Sequence, residues 1–516
     1  MTVEERFKIL QTTLSHNGEL IHPRHLLARA AKEWPDHTAL ICGTEQMNFA
    51  TLDKQATRCK KQLLHRGIKP GNRILIMYEN GLPFYQVYHG AWRTGAIIAP
   101  LNIFLTPAEL THIIHDATPS IIIASAKHRD KIIEIAGNIP TITLEELLHD
   151  APAETDVPAE PIPENLDTCT ILLYTSGTTG LPKGVMLSGR AILTNCLQGI
   201  CDFEISEEER VYAPLPLFHS YMQNTAVWSP LIVGAATIIV PQIKRSALIE
   251  GLDHQPTVVV GIPQLYGLFC LLPKVHFERV RLFFSGGDNL PDKIRFGFEM
   301  LYGRRLANGY GLTETAPLIS AFFDDVHAPT PTIGRPFYGV KIAIKNNKGE
   351  PLPSGEIGTI WVTGKNLMLG YYQKPEETNN VMVNGWFNTG DLGTIDSNGY
   401  LIFCGREKDL IVSKGMNIYP PEVENILTRH RNVTVAAVVG FKTEDEEIPV
   451  AFVAITERNP KLVDELRDLC LQYLAPYKIP RHFIIRGSLP MTATGKVDKK
   501  ILRKEIAEEM LKENSK

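Results

Sequence analysis

The stretch Tyr174-Thr-Ser-Gly-Thr-Thr-Gly-Leu-Pro-Lys-Gly184 decides how the rest of this chain is read. Its three glycines let the backbone turn tightly and come close to a ligand. Four hydroxyls, on Thr175, Ser176, Thr178 and Thr179, join the amides around them in a nest of donors suited to phosphate oxygens. Lys183 adds a mobile positive charge at the loop's end. The apolar run Thr170-Ile-Leu-Leu-Tyr174 predicts a buried strand, so the loop leaves a strand end, where α/β sheets bind ligands. It is not a Walker loop, because Pro182 precedes Lys183 and Gly184 follows it. Composition alone also permits a Ser/Thr/Gly linker; Pro182 and the adjoining strand argue against one.

A chain of 516 residues exceeds one compact core, so at least two domains are expected. With 44% hydrophobic and 21% charged residues it has the composition of a soluble globular protein. A net charge of −4 gives no electrostatic footprint for nucleic acid, so any anion site is local. The eight cysteines form no Cys-x-x-Cys pair, which predicts free thiols in a reducing compartment. Met1 to Arg6 lacks a signal peptide's basic and apolar parts, and Asn514-Ser-Lys516 is no peroxisomal address. The most apolar segment, Ala226 to Pro241, is short and interrupted by Pro230 and Gly234, so no transmembrane segment is expected. A cytoplasmic protein follows.

Through the first two-thirds, strand-like runs alternate with helix-like ones. Strands are predicted at Arg73–Met77, Ala96–Pro100, Ser120–Ala124, Ala236–Val240, Thr257–Val260 and Arg281–Phe284, with a helix over Leu82–Thr94. Buried strands spaced by helices imply an α/β fold with parallel sheets. A Pro-rich acidic stretch from Ala151 to Glu164 reads as an exposed connector. After Gly334-Arg-Pro336, runs at Val340–Lys345 and Gly358–Thr363 and a pair around the Asp396–Gly399 turn predict a β-rich subdomain. Past Arg406 the pattern becomes α+β, with a helix from Glu422 to His430, strands at Val433–Val439 and Val450–Ile455, and a helix from Leu462 to Leu474.

Asn308-Gly-Tyr-Gly-Leu-Thr-Glu-Thr315 combines close-approach glycines, a flat ring at Tyr310 and a hard oxygen ligand at Glu314, the usual way to hold Mg²⁺ beside phosphates. A turn carrying a solvated Glu is the plain alternative. Asp391 could accept from two ribose hydroxyls and Arg406 donate to the same sugar; a surface ion pair is their plain alternative. Lys496 follows a glycine turn in Met491–Asp498, and His219 ends Pro214-Leu-Pro-Leu-Phe-His219. Singly, the first reads as a solvated surface lysine and the second as a hydrogen-bonded core histidine.

In this order and combination the segments resemble the adenylate-forming superfamily: acyl- and aryl-CoA synthetases, luciferases and peptide-synthetase adenylation domains. The resemblance runs from Asn48-Phe-Ala-Thr-Leu52 to Gly495-Lys496. It implies a large N-terminal domain (1–405) of two parallel-sheet α/β subdomains plus a β-rich subdomain (about 337–405). A small mobile α+β C-terminal domain (406–516) would follow, with its hinge at Lys408. It further implies that Thr175, Ser176, Gly177, Thr178, Thr179, Gly180 and Lys183 hold the β- and γ-phosphates of ATP, with Thr313 and Glu314 beside the phosphates and metal. Gly286, Gly287, Asn308, Gly309, Tyr310 and Gly311 would line the adenine and acyl pocket, and Asp391 and Arg406 would bind the ribose. His219 would gate the acyl site, Gly415 line the CoA tunnel, Asn417 approach the nucleotide and Lys496 catalyse adenylation.

The implied chemistry is activation of a carboxylic acid to acyl-AMP, then transfer to CoA, with ATP, Mg²⁺ and CoA as cofactors. Amino-acid-activating relatives usually carry an Asp where His219 stands, so a fatty or aryl acid is favoured. Small residues at Gly261, Ser285, Gly286, Gly287 and Gly309 would leave room for a medium or long fatty chain. Aryl acids are the runner-up substrates, and an acyl carrier protein is the alternative acceptor. A non-catalytic acyl or nucleotide sensor on this fold is disfavoured by the joint presence of Lys183, Glu314, Asp391, Arg406 and Lys496.

Overall fold

The computed structural model describes residues 1–16, 18–149, 164–175, 181–272, 275–322, 331–443, 446–457, 459–492 and 496–513. Two large sheets organise the first two-thirds. In one, the strands Arg73–Met77, Ile97–Pro100, Ile121–Ala124, Thr141–Ile142 and Cys169–Thr175 run parallel, each an almost continuous apolar run buried on both faces. In the other, Thr38–Cys42, Arg210–Ala213, Ala236–Ile239, Val258–Gly261, Leu282–Ser285 and Ala307–Gly311 are parallel neighbours. The predicted strands all form. The edges are antiparallel: Lys183–Ser188 returns as a hairpin beside Cys169–Thr175, and Leu318–Phe322 returns beside Ala307–Gly311. The strands on either side of residues 176–180 are therefore an antiparallel pair.

Helices fill the space between the sheets. Leu82–Trp92 is buried along nearly its whole length, with Trp92 and Tyr88 inaccessible to solvent. Each large side chain removed from water there contributes roughly 1.5–3 kcal/mol. The segment Ala226 to Pro241 resolves into a helix ending at Val233, a left-handed Gly234 (φ 81°), and the Ala236–Ile239 strand. No helix among the described residues is long and apolar enough to cross a membrane. All eight cysteines are free thiols.

The β-rich region forms as an antiparallel sheet of Lys341–Lys345, Gly358–Thr363, Met382–Val383, Trp386–Ile395 and Leu401–Arg406. One piece leaves it: Gly370–Tyr371 pairs with Val185 and Met186 at the edge of the first sheet. That crossing carries Tyr371 to the Lys183–Ser188 strand.

After Arg406 come a three-stranded sheet (Val433–Lys442, Glu447–Ile455, His482–Arg486) and three helices, Pro420–Thr428, Leu462–Tyr473 and Lys499–Glu513. Val423, Ile426 and Leu427 are buried as their spacing predicts, while His430 lies past the helix end, with Nε2 3.1 Å from Glu465. Two apolar clusters, one on each face of this sheet, are separate from the N-terminal core. The connector expected at Ala151–Glu164 lies outside the described residues except for Glu164.

Candidate active site

Ser176, Gly177, Thr178, Thr179 and Gly180 lie outside the described residues; the strands that flank them, Cys169–Thr175 and Lys183–Ser188, are described. Thr175 and Lys183 face each other across this pair, so the loop's two ends are held in register. Lys183 is not the mobile charge expected from sequence. Its ammonium is ion-paired with Glu377, on the helix Pro375–Val381, and lies 5.2 Å from the centre of the Tyr371 ring. The Lys183 ammonium in turn holds the Glu377 carboxyl below its ordinary pKa.

Tyr371 ties this corner to the next, its phenol donating to Glu314 Oε1 at 2.9 Å. Burial raises the Glu314 pKa, opposed by that hydrogen bond. Glu314 sits in the turn Thr313–Thr315 that follows the Ala307–Gly311 strand, and Thr313 Oγ1 is 3.1 Å from Ser220 Oγ. Among the described residues no cluster of three His, Cys, Asp or Glu could hold a metal. One carboxylate beside a phosphate loop fits Mg²⁺, which keeps waters and takes phosphate oxygens in preference to an all-protein cage.

Tyr310 donates to Asp391 Oδ2 at 2.7 Å, and Arg406 Nε is 3.5 Å from Asp391 Oδ1. Asp391 is buried while Arg406 is exposed. Burial pushes the Asp391 pKa up, against the pull of Arg406, Tyr310, Lys496 and Lys408. Asn308 donates to the Thr332 carbonyl at 3.0 Å, but its Oδ1 is buried with no partner among the described residues; the same holds for Ser285 Oγ. Two orphaned polar atoms side by side on neighbouring strands suit a ligand that brings its own donors, as an adenine amine does.

Three of the glycines expected to leave room are closely backed by side chains. A Cβ on Gly309 would collide with the Phe284 ring, one on Gly286 would meet Tyr221 at 3.3 Å, and one on Gly261 would meet Leu265 at 2.8 Å. Tyr221 is fixed by donating to the Phe284 carbonyl at 3.0 Å, and Phe284 packs on Phe203 at 4.8 Å. These side chains occupy the volume that the missing Cβ atoms vacate. Behind Phe284 lies a cavity of about 40 Å³ bordered by Ile200, Phe203, Val260, Leu282 and Leu318. Its exposed lining is almost wholly apolar. His219 caps the following turn through Nδ1, which accepts from the Tyr221 amide at 3.2 Å. Burial, then the Lys496 charge, push its pKa down to about 4, so the ring is neutral at pH 7.

Lys496 reaches this site from the far end of the chain. It is presented beside a short bridge between Met491 and Val497, with Thr492 and Lys496 hydrogen-bonded backbone to backbone at 2.7 Å. Its ammonium feels Asp288 and Asp391 as attractive charges and Arg406 as a repulsive one, and burial lowers its pKa. Lys496, Asp391, Arg406, His219 and Tyr310 therefore share one electrostatic neighbourhood. Lys408 lies in the exposed turn Glu407–Asp409. Gly415 (φ 79°) and Asn417 sit on the exposed hairpin Ile411–Ser413/Met416–Ile418, and no hydrogen bond among the described residues joins them to the site.

Five residues of this site went unread in the sequence. Asp288 directly follows the Gly286-Gly287 pair, so a signal was present. Tyr221 and Phe284 neighbour His219 and Ser285 in the same way, whereas Tyr371 and Glu377 carry no signal, because they come to the site by long-range pairing.

The sequence pattern of the AMP-binding enzymes matches residues 27–372, and that of the AMP-binding enzyme C-terminal domain matches 422–496. The chain belongs to the AMP-binding enzyme family. It is similar to a feruloyl-CoA synthase of an Amycolatopsis species, 31% identical over 92% of this chain and 97% of that one. A long-chain-fatty-acid–CoA ligase of Bacillus subtilis is 30% identical over 94% of each chain. Among solved structures, ATP-bound MatB from Rhodopseudomonas palustris superposes with a TM-score of 0.86 at 28% identity, covering 93% of this chain and 98% of that one. The protein is accordingly an AMP-forming acid–thiol ligase.

Proposed function

We propose that this ligase activates a compact apolar carboxylic acid, an aryl acid or a medium-chain fatty acid, and passes it to CoA. The reaction uses ATP, Mg²⁺ and CoA. The substrate carboxylate oxygen bonds to the α-phosphorus of ATP while the bond from that phosphorus to the bridging oxygen breaks, releasing pyrophosphate and leaving acyl-AMP. The step gathers anions, so positioning and positive charge carry it. The Thr175-to-Lys183 loop holds the β- and γ-phosphates once Lys183 leaves Glu377. Glu314 would hold Mg²⁺, which supplies charge against the phosphates. Asp391 and Arg406 take the ribose, the orphaned Asn308 Oδ1 takes the adenine amine, and Lys496 brings an ammonium to the reacting centre.

The observation that carries this reading is that Lys496, half-buried, has its pKa lowered by burial and is drawn by the charges of Asp288 and Asp391. An ammonium drawn from the other end of the chain into a partly dry site is a costly placement with no structural purpose of its own. In the second half-reaction the CoA thiol attacks the acyl carbonyl and AMP leaves. For this the unit 406–516 rotates on Lys408 away from 1–405, withdrawing Lys496 and bringing the Gly415 hairpin to the site.

The filled glycine wall supports a compact acid, whose body ends against Tyr221 and Phe284. The cavity behind Phe284 favours a second reading: if the ring turns, a longer fatty chain enters. Palmitate, octanoate and coumarate, assayed side by side for CoA-dependent AMP release, test both. Coumarate or octanoate is expected to lead; a clear preference for palmitate contradicts the compact site. No AMP release with CoA, but release once an acyl carrier protein is added, would assign the other acceptor. Free thiols throughout and no apolar spanning helix among the described residues support a cytoplasmic location.

A further inference from the structure

Among the described residues, and Arg406 apart, the side-chain hydrogen bonds between the C-terminal unit and the rest of the molecule gather on one short segment. From Gly286 to Lys293 the chain passes the glycine wall, then Asp288, which attracts Lys496, and then enters the helix Asp292–Tyr302. The first two residues of that helix grip the helix Pro420–Thr428 and the turn after it. Asn425 Nδ2 donates to Asp292 Oδ2 at 3.1 Å while the Asp292 amide donates back to Asn425 Oδ1 at 3.3 Å. Arg429 adds a bond to the same carboxylate at 3.4 Å, and Arg295 holds its other oxygen at 3.1 Å.

Lys293 completes the grip. Its ammonium donates to three main-chain carbonyls across the interface, those of His430 (3.3 Å), Arg431 (3.4 Å) and Val433 (2.7 Å). These carbonyls follow the C-terminal end of the Pro420–Thr428 helix, where the helix dipole favours a cation. Burial lowers the Lys293 pKa. Asp292 is itself buried. Asp292 also serves its own helix, as the first-turn acid paired with Arg295, but the remaining bonds of its carboxylate and all those of the Lys293 ammonium go to the opposing unit.

We infer that Asp292 and Lys293 are positioning residues that hold the C-terminal unit in the orientation delivering Lys496. They touch neither nucleotide nor acid. They stabilise one of the two arrangements the proposed reaction needs, so this inference rests on the two-step reading above. Breaking the grip shifts the population away from the lysine-in state and spares the state that presents CoA.

The test separates the half-reactions in the full-length enzyme. Wild type, Lys293→Met and Asn425→Ala are compared for acid-dependent ATP–pyrophosphate exchange and for CoA thioester formation from supplied acyl-AMP. Exchange is expected to fall about tenfold, the size of one lost charged hydrogen bond, with thioester formation within about twofold of wild type. The exchanged pair Asp292→Asn with Asn425→Asp restores the reciprocal bonds and is expected to recover exchange. Parallel loss of both half-reactions, unchanged exchange, or no recovery in the exchanged pair overturns the inference. Exchange by wild type reports separately on the functional reading, because the inference is read only from the variants' ratio of half-reactions.

Discussion

Lys183 and Glu377 are ion-paired at the start of the Lys183–Ser188 strand, with the Lys183 ammonium also over the Tyr371 ring. The lysine proposed to bind phosphate is thus already paired with a carboxylate. On the proposed reading ATP displaces Glu377 from Lys183. This arrangement sets the first expectation.

Glu377→Gln removes the competitor and keeps the helix. The pair is partly exposed, so its worth is about 1 kcal/mol, and the KM for ATP should fall by up to about fivefold with little change in kcat. Steady-state kinetics with ATP varied checks this. A rise in KM would show that Glu377 helps to hold the nucleotide.

The glycine wall predicts opposite outcomes for two substitutions. Gly309→Ala drives a Cβ into the Phe284 ring, which is overpacking worth about 1–3 kcal/mol. Calorimetry should show a Tm lower by a few degrees, partly recovered in Gly309→Ala/Phe284→Leu. Phe284→Ala alone joins the acyl site to the cavity behind it, so the ratio of kcat/KM for palmitate to that for coumarate should rise at least tenfold, about 1.4 kcal/mol. An unchanged ratio would remove Phe284 from the acyl wall.

Acid should destabilise the fold through buried histidines. Burial pushes the pKa of His22 down to about 2 and that of His89 to about 3, each from an ordinary 6.5. Between those values and 6.5 the unfolded chain binds protons that the folded one refuses. Stability is therefore whole above pH 6.5 and lost as pH falls, by about 1.4 kcal/mol per pH unit for each ring. Thermal melts from pH 7 to 4.5 should show Tm dropping, with a shallower slope in His89→Gln. An identical slope would mean that carboxylates dominate the acid limb.

Much of this architecture was legible because its signals are local. Continuous apolar runs such as Arg73–Met77 and Val258–Gly261 become parallel strands, and the spacing of Val423, Ile426 and Leu427 marks a buried helix face. Tyr310, Asp391 and Arg406, chosen for chemistry alone, meet within hydrogen-bond or ion-pair reach. What stayed hidden depends on pairing between distant segments. Gly309 looks like open space until the Leu282–Ser285 strand lies beside it and Phe284 fills the gap. Lys183 looks mobile until Gly370–Tyr371 crosses to the first sheet and brings Glu377 with it.

The central claim, that the C-terminal lysine serves the first half-reaction alone, is tested most directly with Lys496→Ala. The two half-reactions are measured separately: acid-dependent exchange of labelled pyrophosphate into ATP, and thioester formation from supplied acyl-AMP and CoA. Exchange should fall by at least about a thousandfold, as loss of a charged group at developing negative charge does, while thioester formation stays near the wild-type rate. Equal loss of both, or exchange that survives, would contradict it.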